Sequence, residues 1–336
     1  MSINWPRFAE VIRSHNSFLL TSHVRPDCDA LGSELGMAAI LDLLGKRVRI
    51  VNGQATPPNF EFIDPERRIR TIGVDVQPAE LSDVELVMIL DTSAWVQLGG
   101  MADVIKSLPA KRMVLDHHVS EDDLGAESFK NTRSEATGRL VVEAADALQV
   151  PLTPLSAMPL FAALATDTGW FRFGSTSAET YRVAARLVQA GASPPEIYRQ
   201  LYEQDTLERV RLRGVILGRV VTELAGRLAT TYVLSEDFAH TGALPSDTED
   251  VINMTLAIAG VQFAVIFVEQ RQSGFKISFR SRCALDCSKL AERFQGGGHK
   301  AAAGAHVGGT LEQATKQVLD AVRSAFVSLD QTGSPK

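Results

Sequence analysis

Through the first half of the chain, short apolar runs alternate with helical patterns. "FLLTSH", "RVRIVN", "LVMILDT" and "RMVLDHH" read as strands, and "DALGSELGMAAILDLLG" between the first two reads as a helix. Strands that are apolar throughout, rather than at every second position, suit a parallel sheet covered by helices on both faces. From Ser134 the pattern turns helical, through "SEATGRLVVEAADALQV" and "PLSAMPLFAALATDT", and is helical again from Ser177 to about Glu223, with turn residues at "AGASPP". Beyond it "RLATTYVL", "FAVIFVEQ" and "FKISFRS" predict strands, the last two joined by a hairpin turn at Glu269–Gly274. The expected architecture is α/β: a parallel-sheet domain over residues 1–185, a helical connector over 186–224 and a smaller mixed α/β domain over 225–330. The closing "DQTGSPK" reads as a disordered tail.

Composition narrows the function classes. The chain has 336 residues, 45% hydrophobic, enough to bury a full core. A formal net charge of −6 argues against a binder of long duplex nucleic acid, which needs a basic track, but leaves room for a small phosphate-bearing ligand. Cys28, Cys283 and Cys287 cannot all pair and read as free thiols of a reducing compartment. The amino-terminal stretch is interrupted by Arg7, Glu10 and Arg13, and no run is long and apolar enough to span a bilayer. The expectation is a cytoplasmic protein with no membrane role; a homodimer is compatible with the sequence.

Four apolar runs end on chemically demanding groups. "FLLTSHVRPDCDA" delivers His23, Asp27 and Asp29; "LVMILDTS" delivers Asp91; "MVLDHH" delivers Asp116, His117 and His118; "FAALATDTGWF" delivers Asp167. In an open parallel sheet the carboxyl ends of the strands share one edge, so these groups should converge. Four carboxylates gathered within a few ångströms repel one another and take up protons unless cations balance them, and two divalent ions carry the matching charge. Taken singly, each block has a plain structural reading: Asp29 as N-cap of the following helix, Asp91 and Asp167 as turn or cap residues. Two adjacent imidazoles after a carboxylate at a strand end have few structural uses.

In order and local pattern, H-x-x-P-D-x-D-A-x-G-S, D-T-S, D-H-H and D-T-G-x-F together resemble the DHH phosphoesterase superfamily, and "RFQGGGHKAAAGA" (Arg293 to Ala305) resembles the glycine-rich signature of the DHHA1 domain. At this length the resemblance is to the bacterial nanoRNase group, oligoribonucleases that also act on adenosine 3′,5′-bisphosphate (pAp). It implies one metal held by His23, Asp27 and Asp91 and a second held by Asp29, Asp91, His117 and Asp167, with Asp91 bridging and manganese as the metal. It implies that Asp116 orients the His117 ring and that His118 faces the substrate, so that the catalytic set is His118, Asp116 and Asp91. Water activated between the two cations then attacks phosphorus. Cys28 lies between two of these residues and reads as packed rather than ligating. Gln97 stands where many relatives carry arginine.

In the second domain Gly296–Gly298 let backbone N–H groups approach an anion, with His299 and Lys300 adding donors. A plain alternative is a flexible turn followed by a small-residue helix at "KAAAGA". Arg280 and Arg282 are expected on opposite faces of a strand, with Arg280 reaching the ligand. The substrate-binding set is therefore Arg280, Gly297, Gly298, His299 and Lys300, and the ligands are short RNA oligonucleotides and nucleotides. Residues 134–139 could hold a phosphate at a helix start or be capped by Ser134. Rival readings are a phosphodiesterase for linear or cyclic dinucleotides (pApA, cyclic di-AMP), other phosphohydrolases of the same superfamily, and a non-catalytic nucleotide-binding regulator.

Overall fold

A computed structural model describes residues 3–119, 121–270 and 273–332. Two compact units divide the chain, Met1–Gln204 and Asp205–Lys336.

In the first unit the elements run α1 (Trp5–Arg13), β1 (Ser17–Thr21), α2 (Cys28–Leu43), β2 (Arg47–Asn52), β3 (Ile69–Thr71), β4 (Leu86–Leu90), α3 (Gly100–Ser107), β5 (Lys111–Asp116), β6 (Glu127–Lys130), α4 (Thr137–Leu148), α5 (Pro154–Asp167), α6 (Ala178–Gln189) and α7 (Pro194–Tyr202). The six strands are parallel in the order β3-β2-β1-β4-β5-β6. Strand alternation divides the core between the two faces. Phe18, Leu20, Met88, Leu90 and Met113 pack with Phe8, Leu31, Met37, Leu140 and Leu160 on one side, while Leu19, Val87, Ile89 and Val114 pack with Leu98, Met101 and Ile105 on the other. Because both faces are covered, the strands are apolar throughout. The strand order reverses between β1 and β4, whose carboxyl ends flank the crevice where open α/β sheets bind ligands.

Helix α2 carries the first acidic block into this crevice. Asp27 caps it, accepting from the Ala30 N–H at 3.0 Å, so the cap is Asp27 and not Asp29. Its glycines face α5: a Cβ on Gly32 would strike the Pro159 carbonyl oxygen, and one on Gly36 the Leu160 side chain. Close packing of two largely apolar helices explains why α2 is buried through most of its length.

The second unit contains α8 (Leu207–Gly218), β7 (Val221–Glu223), β8 (Leu228–Val233), α9 (Ser235–Thr241), α10 (Val251–Leu256), β9 (Phe263–Glu269), β10 (Phe275–Ser281), α11 (Cys287–Glu292), β11 (Gly297–His299), β12 (Ala302–Val307) and α12 (Leu311–Thr332). Its sheet is mixed, in the order β11-β12-β10-β9-β8-β7, with β8 and β9 the parallel pair. Phe263, Val265 and Phe267 face α11 and α12, while Ala264, Ile266 and Val268 face α8 and α10.

Several local expectations change. Helical structure after Ser177 stops at Gly218, and Val221–Glu223 pairs antiparallel with β8. "KAAAGA" supplies a strand: β11 and β12 form a hairpin in which Gly297 opposes Gly304 and Gly298 opposes Ala303. A Cβ on Gly298, whose φ is 144°, would stand 2.6 Å from the Ala302 carbonyl oxygen, so this glycine is required by strand approach itself. Residues two apart on a strand share a face, so alternation does not place Arg280 and Arg282 on opposite faces: Arg280 lies opposite Ala264 in the antiparallel register, and Arg282, just beyond the end of β10 at Ser281, donates to the Leu256 carbonyl oxygen of α10 at 2.8 Å. The hairpin between β9 and β10 is present, with the Gln270 N–H on the Gly274 carbonyl at 2.9 Å; Arg271 and Gln272 lie outside the described residues. Asp330–Thr332 end α12 rather than starting a tail, and residues 333–336 lie outside the described residues. Among the described residues no helix is long and apolar enough to cross a membrane, and the three cysteines are free.

Candidate metal centre

The groups singled out in the first unit meet at the β1/β4 crevice. His23 follows β1, Asp91 follows β4, and Asp116 ends β5 with His117 and His118 behind it. Asp167 arrives differently, as the last residue of helix α5. His23 Nε2 lies 3.4 Å from Asp91 Oδ2 and 3.9 Å from Asp27 Oδ1. His117 Nε2 lies 3.4 Å from Asp91 Oδ1, 3.5 Å from Asp167 Oδ2 and 3.7 Å from Asp29 Oδ2. Among the described residues three groups have their ligand atoms within 4.8 Å of one another, His23/Asp27/Asp91, Asp29/His117/Asp167 and Asp91/His117/His118; the first two share no residue and form two donor sets, which the third overlaps. The two oxygens of Asp91 face different sets.

The tautomers decide what this arrangement asks for. His23 Nδ1 sits 3.1 Å from the Val24 carbonyl oxygen and His117 Nδ1 3.1 Å from that of Ser134, so both rings place their proton on Nδ1. Each Nε2 then turns a lone pair toward carboxylate oxygens. Lone pairs facing lone pairs across a largely buried site are unfavourable unless a cation stands between them, and imidazole nitrogen with carboxylate oxygen is a usual donor set for divalent first-row metals. Asp167 points the same way, since a carboxylate at a helix carboxyl terminus opposes the helix dipole. The donor set fits divalent ions.

Electrostatics agree. Burial pushes the carboxyl of Asp29 up and that of Asp91 well up, Asp91 further through Asp29 and Asp27. Asp167 is pushed up to about 8, by burial first and then by Asp29 and Asp27. Asp116 behaves oppositely. Against the effect of burial, the ring and backbone N–H of His118 and the Ser93 hydroxyl hold it down at about 2. Asp116 Oδ1 lies 2.9 Å from His118 Nδ1, so this carboxylate orients His118, and the group orienting His117 is the Ser134 carbonyl. Asp116 in turn raises the His118 ring.

Asp29 is fixed by a contact no motif announces. Its Oδ2 accepts the Thr137 N–H at 2.7 Å and its Oδ1 the Gly138 N–H at 2.8 Å, the first two amides of α4. That helix start is therefore filled by a side chain and not left for a phosphate, and its N-cap is Ala136 rather than Ser134. Thr137 also donates its hydroxyl to Asp91 Oδ1 at 2.9 Å, a supporting role that the sequence reading missed. Gln97 takes the Thr92 hydroxyl at 3.3 Å. Cys28 is buried, and burial pushes its thiol up, away from the thiolate.

A buried polar relay stands behind His23. The Ser22 N–H donates to Asn52 Oδ1 at 3.1 Å, and Asn52 Nδ2 donates to Glu34 Oε2 at 2.9 Å. Burial pushes Glu34 up to about 8, opposed by the hydrogen bond from Asn52. A carboxyl whose folded pKa exceeds its unfolded value binds more protons folded than unfolded, so its stabilising contribution is complete below the ordinary value of 4.5 and is lost as pH rises through about 8. Glu34→Gln should remove a slope of up to about 1.4 kcal/mol per pH unit across that window. Urea unfolding of both proteins from pH 5 to 8 checks this; parallel curves would refute it.

In the second unit, Gly297, Gly298, His299 and Lys300 are exposed on the β11–β12 hairpin, and Arg280 is half-buried on β10 with its guanidinium on the Phe279 carbonyl oxygen at 3.1 Å.

Comparison with known proteins identifies the family. The model of the DHH family N-terminal domain matches residues 17–164, and that of the DHHA1 domain matches residues 217–328. The bifunctional oligoribonuclease and PAP phosphatase NrnA of Thermus thermophilus is 32% identical, covering 94% of this chain and 92% of that protein. The protein of the same name from Bacillus subtilis is 28% identical over 89% of this chain and 92% of its own length. Among solved structures, an exopolyphosphatase-related protein from Bacteroides fragilis matches 95% of both chains with a TM-score of 0.84 at 26% identity. Two family domains in their order, and a relative alike over nearly the whole length, place this chain in the DHH/DHHA1 family of phosphoesterase hydrolases.

Proposed function

We propose that this hydrolase degrades very short RNA oligonucleotides to mononucleotides and removes a phosphate from pAp to leave AMP, with two divalent ions, manganese by preference. The observation that carries the reading is the pair of imidazole Nε2 lone pairs turned on the two oxygens of one carboxylate, Asp91, at the crevice of a parallel sheet. The relatives named as bifunctional oligoribonuclease and PAP phosphatase support the substrate class.

His23, Asp27 and Asp91 would hold one ion, and Asp29, Asp91, His117 and Asp167 the other. When bound, such ions supply charge that acidifies water and offsets negative charge gathering on the phosphoryl oxygens. The residues of the chain do the rest. The Val24 and Ser134 carbonyls keep His23 and His117 in the tautomer that offers Nε2. Thr137 holds Asp91 in place, and the first amides of α4 hold Asp29. Asp116, ionised, accepts from His118 Nδ1 and favours the protonated ring, so that Nε2–H would face the phosphate and give its proton to the leaving oxygen while the Nδ1 proton stays on the ring, bonded to Asp116. Arg280, Gly297, Gly298, His299 and Lys300 bind the base or terminal phosphate of the short substrate, which is how an acidic protein recognises RNA without a long basic track.

The test is a product profile over 5′-labelled dimers to pentamers, beside pAp and cyclic di-AMP, with manganese and with chelator. Mononucleotides from the shortest oligomers and AMP from pAp, both abolished by chelation, are expected. Turnover confined to cyclic di-AMP or pApA would replace the reading with a dinucleotide phosphodiesterase, and binding without turnover with a regulator. For the second unit, Lys300→Ala or Arg280→Ala should raise KM for a dinucleotide more than it lowers kcat; the reverse pattern would remove these residues from substrate binding.

A further inference from the structure

One buried cation in the first unit plays no part in the reaction as proposed. Lys130 ends β6 directly opposite Asp116 in the parallel register. Its side chain is 10% exposed, and its Nζ lies 3.0 Å from Ser93 Oγ and 3.3 Å from Asp116 Oδ2, with the exposed Glu121 Oε2 farther off at 4.0 Å. The Ser93 hydroxyl donates to the same Oδ2. On the other oxygen, Oδ1 accepts the His118 backbone N–H at 3.0 Å and the His118 ring at 2.9 Å. A fully buried carboxylate is thus gripped on one oxygen by Lys130 and Ser93 and presents the other to His118.

Taking an ammonium group out of water is expensive, so its placement needs a return. His118 shows where that return lies. Its side chain is 49% exposed and is not locked by packing; the Asp116 bond is the short polar contact that orients it, beside Asp91 Oδ1 at 3.6 Å from Nδ1 and an edge-on contact with His117 at 4.5 Å between ring centroids. Were Asp116 free to turn about its Cβ–Cγ bond, Oδ1 would leave the line of His118 Nδ1, and Nε2 would lose its aim.

We infer that Lys130 and Ser93 form a positioning clamp: by holding Asp116 Oδ2 they fix Oδ1 on His118 Nδ1 and so set the direction and tautomer of the ring. They are positioning residues, since neither touches the reacting atoms, and the catalytic consequence rests on His118 acting as proposed above.

Lys130→Met keeps most of the length of the side chain without its charge, and Lys130→Arg restores a donor. Two measurements test the clamp. The first reads the imidazole nitrogens of His118 by NMR in the magnesium-loaded protein without substrate, at a pH where the ring is neutral. Wild type and Lys130→Arg should show the proton on Nδ1, and Lys130→Met a mixture of tautomers; an unchanged His118 signal in Lys130→Met overturns the proposal. The second is kinetic, with a dinucleotide and manganese. Lys130→Met should lower kcat about tenfold or more with KM moved less than about threefold, and should lower it no further when His118→Ala is already present. An equal loss with and without His118 overturns the clamp. A shifted His118 signal with unchanged kcat upholds the clamp and counts instead against the part given to His118 in the reaction. Should Lys130→Met fail to fold, Ser93→Ala takes its place in both measurements with the same outcomes.

Discussion

Asp91→Asn is expected to lower kcat/KM for a dinucleotide and for pAp by about a thousandfold or more, while the protein stays folded. The expectation rests on how the two oxygens of this one side chain are used. Oδ2 faces His23, and Oδ1 faces His117 while accepting the Thr137 hydroxyl. Asparagine keeps the shape but turns one oxygen into an N–H donor, which points a hydrogen where a cation is needed and removes the charge shared by both sets. The backbone will tolerate it: Asp91 has a φ of 60°, in the left-handed region where asparagine is among the few side chains accepted. Manganese-dependent release of mononucleotide measures the loss, and circular dichroism checks the fold. Activity within tenfold of wild type would mean that Asp91 is not shared.

Asp29→Ala should abolish activity as well and, unlike Asp91→Asn, should also destabilise the protein by about 2–4 kcal/mol. Two effects compete. Removing one of several crowded carboxylates relieves its repulsion with Asp27, a smaller contribution than burial to raising this carboxyl. Against it stand two amides, Thr137 N–H and Gly138 N–H, which lose their acceptor in a buried place, at about 1–3 kcal/mol each. The lost hydrogen bonds outweigh the relief. A Cβ on Gly138 would come within 2.7 Å of the Ala163 Cβ, so α4 meets its neighbour closely there and has little room to admit water as a substitute. In thermal melts the drop should be about 5–15 °C and larger with manganese than with chelator, because only the loaded protein also loses a ligand. Asp29→Asn, which keeps one acceptor, should fall between. A melt unchanged in chelator would show that the helix start is satisfied some other way.

Much of the site was legible because its motifs are local. Asp27 and Asp29 flank a helix start, and Asp91 and the Asp116–His118 triplet end apolar runs, so residue type and periodicity alone put polar groups at the ends of buried strands. The parallel sheet of the first unit was legible for the same reason, since strands covered on both faces have no polar alternation. What escaped was set by contacts between distant segments. Asp29 meets Thr137, more than a hundred positions away, and the amides it binds look in sequence like an open helix start. Asp116 serves His118 and not His117, a choice made by ring geometry that adjacent letters cannot express. The glycine run reads as a loop, yet pairing with Ala302–Gly304 makes it a strand.

What the sequence by itself determined is the inventory and the local stage: which side chains carry charge and lone pairs, and which apolar runs must be buried so that these groups emerge at their ends. Only the tertiary structure decided the strand order that brings β1 beside β4, the division of Asp91 between two donor sets, and the burial of Lys130 opposite Asp116. The physical reason is range. Hydrophobic periodicity is written within a few residues, whereas register, tautomer and the partnering of buried polar groups depend on which segments meet, and that is resolved by packing the whole core at once.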